Sequence, residues 1–104
     1  MDAREAAHLL ERGEAVAVDV REPAEWDAGR IRGSLHIPMR ELELRQGELP
    51  RETTIVAVCR TGNRSGAVTL ALLDAGYRAE NLEGGLVAWV REGLALDPPG
   101  GRVL

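Results

Sequence analysis

The only cysteine of the 104-residue chain, Cys59, opens the run Cys59-Arg60-Thr61-Gly62-Asn63-Arg64-Ser65. The apolar run Ile55-Val56-Ala57-Val58 precedes it, and from Ala67 to Ala75 apolar residues recur at helical spacing. This pattern predicts a strand, a tight loop and a helix, with the thiol at the first loop position. Unpaired backbone N–H groups and the positive end of a helix dipole then face the sulfur and favour its anion. A free cysteine titrates near ~8.5, and lowering that value by about two units takes roughly 2.7 kcal/mol of preferential stabilisation. The dipole supplies about 0.3–2 kcal/mol. Hydrogen bonds from loop amides to the anion, at about 1.5–3 kcal/mol each, supply the remainder together with Arg60 and Arg64. Gly62 gives the chain the positive φ that a ring of amides requires. The chemistry indicated is that of a nucleophilic thiolate.

Positioning such a loop takes a sheet and helices. Asp2, with Glu5 three residues on, reads as an N-cap and capping-box partner for a helix from Ala3 to Arg12 that buries Ala6, Leu9 and Leu10 and stops at Gly13. Ala15-Val16-Ala17-Val18 is a continuous apolar run of strand length ending at Asp19, the pattern of a parallel strand covered on both faces. Pro23 suits the first turn of a short helix ended by Gly29. A brief strand is expected over Ser34-Leu35-His36-Ile37, and a short helix from Pro38 through Leu42 and Leu44. After the cysteine loop, Val68, Leu70, Ala71, Leu72 and Leu73 predict a wide apolar helix face ended by Gly76. Residues 77–82 form a weak edge-strand candidate, Gly84-Gly85 a turn, and Leu86 to Glu92 a last helix with Val87, Trp89 and Val90. Asp97-Pro98-Pro99-Gly100-Gly101 predicts a loose tail over residues 97–104. Alternating strands and helices imply an α/β domain with a mainly parallel sheet, in which ligands gather at the carboxyl ends of the strands. Asp19 and Cys59 each follow a buried run, so parallel pairing places both at that edge.

Composition narrows the function. The length fits one domain over residues 1–104, and one cysteine with two histidines offers neither a disulfide nor a zinc spacing, so no metal and no cofactor are expected. No apolar run approaches the ~20 residues of a membrane span, and no apolar signal core follows Met1, so a reducing cytoplasm is expected. The net charge is −4 with both signs interspersed, and all 13 basic residues are Arg without forming a stripe, which argues against a nucleic-acid surface.

Taken together, the cysteine loop, Asp19-Val20-Arg21-Glu22, the segment from Gly29 to Pro38, Leu82-Glu83-Gly84-Gly85 and Trp89 resemble a single-domain rhodanese, a sulfurtransferase, over residues 2 to 95. The resemblance implies a three-layer α/β/α fold with a small, mainly parallel sheet of four to five strands. Many relatives begin with an extra strand, for which the residues before Ala3 are too few. It further implies that Cys59 is the nucleophile and carries a persulfide. The backbone from Arg60 through Thr61, Gly62, Asn63 and Arg64 to Ser65 would cradle the transferred sulfur. Implied partners are thiosulfate or a persulfide as donor, a thiol or cyanide as acceptor, and a sulfur-relay protein; neither nucleic acid nor membrane is implied.

Two rival functions share parts of this pattern. Cysteine phosphatases and arsenate reductases also use a thiol in an amide loop, but place one more residue between cysteine and arginine than the four found here, and Ser65 takes the arginine position. A non-catalytic rhodanese-like binding or redox module is the other alternative, although such relatives commonly lack the cysteine. Asp19 and Arg21 are expected to tie loops together, His36 to be a hydrogen-bonded strand residue, and Trp26 and Trp89 to pack in the core and site wall.

Overall fold

The computed structural model describes residues 1–104. In chain order the elements are α1 (Ala3–Glu11), β1 (Ala15–Asp19), α2 (Pro23–Ala28), β2 (Leu35–His36), α3 (Leu42–Arg45) between two 3-10 turns, β3 (Thr54–Val58), α4 (Asn63–Asp74), β4 (Ala79–Asn81) and α5 (Gly85–Arg91). The four strands pair in the order β2-β1-β3-β4, all parallel, and β1 and β3 run in register from Ala15 opposite Thr54 to Asp19 opposite Val58. Both sequence runs read as continuous and apolar are thus the two central strands.

Strand alternation splits the core between the two faces of the sheet. Val18, Val20, Ile55, Ala57 and Cys59 pack with Val68 and Leu72 of α4 and Leu42 of α3. Ala15, Ala17, Val56 and Val58 pack with Ala3 and Ala6 of α1 and Leu86 and Trp89 of α5. Period-2 side-chain direction therefore assigns Cys59 to the α4 face of a three-layer α/β/α arrangement. The sheet has four strands, at the lower end of the expected range. At its β4 edge Met1 receives the Glu83 N–H at 2.9 Å and directs its own nitrogen to the Asn81 carbonyl at 3.2 Å, a pairing only one residue long.

Two features differ from the sequence reading. The apolar face of α4 is narrower than expected: Val68 and Leu72 are buried with Ser65 and Thr69, while Leu70 is 70% and Leu73 49% exposed. One sheet face accepts only the i, i+3, i+4, i+7 stripe, and the Thr69 hydroxyl stays in it by donating to the Ser65 carbonyl at 2.8 Å. The tail is the other difference, because residues 97–104 are docked and not loose. Arg30 and Asp97 exchange backbone hydrogen bonds at 3.0 and 2.7 Å, and the Arg102 N–H donates to the Ala28 carbonyl at 2.8 Å. Gly29 makes the approach possible, since a Cβ there would stand 2.7 Å from the Arg102 nitrogen. Proline and glycine suggested mobility, but bare Cα atoms also allow backbones to meet closely.

Candidate active site

The cysteine loop joins the end of β3 to the start of α4, which places Cys59 at the carboxyl edge of the sheet, one residue beyond Val58. Gly62 turns the chain at φ +100 and stands at the N-cap of α4, and its N–H points back to Cys59 Sγ at 3.0 Å. A residue with a Cβ would be strained at that φ. From the first turn of α4, the Ser65 hydroxyl lies 3.2 Å from the same sulfur. Cys59 is 1% exposed. Burial is the largest single influence on the thiol and pushes its pKa up, but the Ser65 hydroxyl and the N–H groups of Ser65, Gly62 and Thr61 together outweigh it, so Cys59 sits below the ordinary thiol value. Fixed donors around a buried sulfur favour its anion over the thiol.

The remaining loop side chains divide by what they touch. Thr61 and Asn63 are exposed, and so is Arg60, whose Nε donates to the Leu104 carbonyl at 2.9 Å. Arg64 is held from outside the loop: its Nη1 and Nη2 donate to the two oxygens of Glu25 at 2.7 and 2.9 Å. Glu25 lies in the first turn of α2, and its Oε1 also receives the Glu22 N–H at 3.0 Å, closing a capping box. The Arg64 hydrogen bonds, opposed by burial and helped by the Glu22 N–H, bring Glu25 from the usual 4.5 down to about 2. The same contact raises Arg64 further. Glu25 was not singled out in the sequence. Pro23 signalled a helix start, but nothing local announces a partner 39 residues away.

Asn81, at the end of β4, also escaped the sequence reading. Its Nδ2 donates to the Gly62 carbonyl at 3.1 Å, and its Oδ1 lies 2.6 Å from the Ser65 hydroxyl. The turn into α5 completes the enclosure: the Leu86 and Val87 N–H groups donate to the Cys59 and Arg60 carbonyls at 2.9 and 3.1 Å. Gly85 packs so closely that a Cβ there would stand 2.4 Å from the Arg60 oxygen.

Asp19 and Arg21 form a fully buried pair at 2.8 Å, and Arg21 Nη2 also donates to the Gly29 carbonyl at 2.7 Å, which ties β1 to the end of α2. His36 Nε2 lies 2.8 Å from the Arg21 carbonyl, and its ring stacks on Trp26 with centroids 4.6 Å apart. Trp26 is therefore a half-buried stacking platform with Arg30 over its ring, whereas Trp89 is buried and donates to the Ala95 carbonyl at 2.9 Å.

Known proteins resemble this chain in sequence and fold. A "Sulfurtransferase" of Allochromatium vinosum is 38% identical over 94 residues, covering 89% of this chain and 88% of the relative. The "Probable adenylyltransferase/sulfurtransferase MoeZ" of Mycobacterium tuberculosis is 39% identical over 93 residues, 86% of this chain but only 24% of that protein. A crystal structure of a rhodanese-related protein from Thermoplasma volcanium superposes with a TM-score of 0.87 at 31% identity, covering 92% of this chain and 94% of that one. With the rhodanese-like domain model matching residues 2–92 as well, the chain belongs to the rhodanese-like domain family, whose members named here include sulfurtransferases.

Proposed function

We propose that the chain is a sulfurtransferase that moves a sulfane sulfur from thiosulfate or a protein persulfide to a thiol or cyanide acceptor through a persulfide on Cys59. The observation that carries this reading is the buried Cys59 sulfur receiving the Gly62 N–H at 3.0 Å with the Ser65 hydroxyl at 3.2 Å. The thiolate attacks the outer sulfur of thiosulfate; the new S–S bond forms as the donor's S–S bond breaks, and that electron pair leaves with sulfite. Sγ becomes neutral and the terminal persulfide sulfur keeps the negative charge it brought from the donor, so no oxidant or metal enters the balance. An acceptor thiolate or cyanide then attacks the terminal sulfur and Cys59 departs as thiolate, in a ping-pong cycle. The loop from Arg60 through Thr61, Gly62, Asn63 and Arg64 to Ser65 presents amides to each anion without rearranging. The cycle requires a reduced thiol, which fits a cytoplasmic setting.

A protein persulfide as donor, in a sulfur relay, is favoured by one observation. The name of the MoeZ relative joins a probable adenylyltransferase and sulfurtransferase in one chain, a pairing that fits sulfur handed on between protein sites. Intact mass spectrometry after incubation with thiosulfate, or with a persulfidated protein, tests both donors. A gain of one sulfur atom, reversed by cyanide or dithiothreitol and absent from Cys59→Ser, is expected, because a hydroxyl of similar volume is no nucleophile at neutral pH. No gain from either donor, or a gain retained by Cys59→Ser, would overturn the reading.

A further inference from the structure

The Ser65 hydroxyl has one proton and two acceptors within reach, Asn81 Oδ1 at 2.6 Å and Cys59 Sγ at 3.2 Å. The Asn81 amide cannot exchange its ends freely, because its Nδ2 is engaged by the Gly62 carbonyl at 3.1 Å. Its oxygen is thus held toward Ser65. Ser65 is fully buried, so its hydroxyl must find its partner inside the protein. We propose that Asn81 is a positioning residue for sulfur transfer, whose Oδ1 accepts the Ser65 hydrogen bond whenever Cys59 Sγ carries no charge and gives it up to the sulfur when the thiolate forms.

The consequence follows the charge through the cycle, and in this respect the inference rests on the persulfide reading. In the thiolate enzyme the hydroxyl turns to the sulfur, where a hydrogen bond to an anion is worth more than one to an amide oxygen. When the Sγ–S bond forms, the electron pair of the anion becomes that bond, the pair of the broken donor bond leaves with the donor, and the negative charge of the loaded enzyme lies on the terminal sulfur. Sγ is then a poor acceptor, and the hydroxyl returns to Asn81 Oδ1. No proton leaves Ser65; only its direction changes. Asn81 therefore favours the loaded enzyme over the free thiolate, and it competes with the sulfur for the donor that lowers the thiol pKa. Other charges near the sulfur, namely Arg64 of α4 with its Glu25 partner on α2 and the Asp19–Arg21 pair at the end of β1, are common to every variant below.

The test measures the pH midpoint of iodoacetamide alkylation of Cys59 with and without Ser65→Ala, in the wild type, in Asn81→Ala and in Asn81→Asp. Removing the hydroxyl raises the midpoint in the wild type by about one pH unit. The rise is larger in Asn81→Ala, where the sulfur is the sole acceptor, and smaller in Asn81→Asp, where a carboxylate holds the proton; steps of roughly half a unit are expected. A purely structural role gives the opposite order, since a loosened loop in Asn81→Ala would leave Ser65 little influence on the sulfur. That order, or equal rises in all three backgrounds, overturns the proposal. If Asn81→Ala does not fold, the wild type against Asn81→Leu, similar in shape and without an acceptor, decides: a larger rise supports the proposal and a smaller or equal one overturns it. Alkylation needs no sulfur donor, so a failure of this series is distinct from a failure to load sulfur, which the mass measurement reads.

Discussion

Replacing Glu25 by glutamine removes one charge from the outer anchor of the cysteine loop and keeps its shape. The Glu25 carboxylate receives Arg64 at 2.7 and 2.9 Å and the Glu22 N–H at 3.0 Å, with the Glu25 side chain 18% and the Arg64 side chain 37% exposed. The fall of the Glu25 pKa from 4.5 to about 2 corresponds to roughly 3.4 kcal/mol at about 1.36 kcal/mol per unit. Solvent at the part-exposed guanidinium screens the pair, so about 1–2 kcal/mol is expected in practice. Because the folded pKa is depressed, this stability is complete above the unfolded value near 4.5 and is lost as pH falls toward about 2. At pH 3 about two-fifths of the interval remains, and with it about two-fifths of the effect. Urea unfolding of wild type and Glu25→Gln should therefore differ by about 1–2 kcal/mol at both pH 7 and pH 5, by less than half that at pH 3, and by less in high salt. A difference that stays constant down to pH 3, or none at pH 7, would refute the ion pair as the anchor.

Two further substitutions probe the rim and the floor of the loop. Arg60→Ala removes an exposed side chain whose Nε is engaged by the Leu104 carbonyl, so thiosulfate kcat/KM should fall by less than about fivefold, on the order of 0–1 kcal/mol, with no loss for a protein persulfide donor; a hundredfold loss confined to thiosulfate would mean that this guanidinium reads the donor's sulfonate oxygens. Gly85→Ala would set a Cβ 2.4 Å from the Arg60 oxygen and 2.5 Å from the Cys59 oxygen at a φ of +59, so a loss above about 2 kcal/mol in urea unfolding and slower Cys59 alkylation are expected; an unchanged urea midpoint would contradict the close approach.

The parts of the molecule legible in the sequence are those with a local signal. Ala15–Val18 and Ile55–Val58 are apolar without interruption because the central strands are covered on both faces, and that alone placed Asp19 and Cys59 at one edge. Gly62 beside a lone cysteine announced the turn. Glu25 and Asn81 were silent because each acts on a loop far along the chain, from a short helix and a short edge strand whose own patterns demand neither residue. The tail misled for a related reason. Its glycine and proline content is the same whether the backbone is mobile or packed against Gly29, and only the tertiary contact distinguishes the two.

That division explains how a buried thiol can be acidic. Burial of Cys59 opposes the thiolate more than any single donor favours it, so the balance depends on several donors being aimed at once. A peptide with the sequence of the loop would keep the arginines and the amides but would spend its energy ordering them. In the folded chain the ordering comes from elsewhere: β4 through Asn81, α2 through Glu25, and the α5 turn through the Leu86 and Val87 amides each grip a different atom of the loop. Each grip is modest, and none of the gripping side chains touches the sulfur. Their joint effect is to make the anion's solvation a property of the sheet edge, so changes at Asn81, Glu25 or Gly85 should register in the titration of Cys59 as well as in stability.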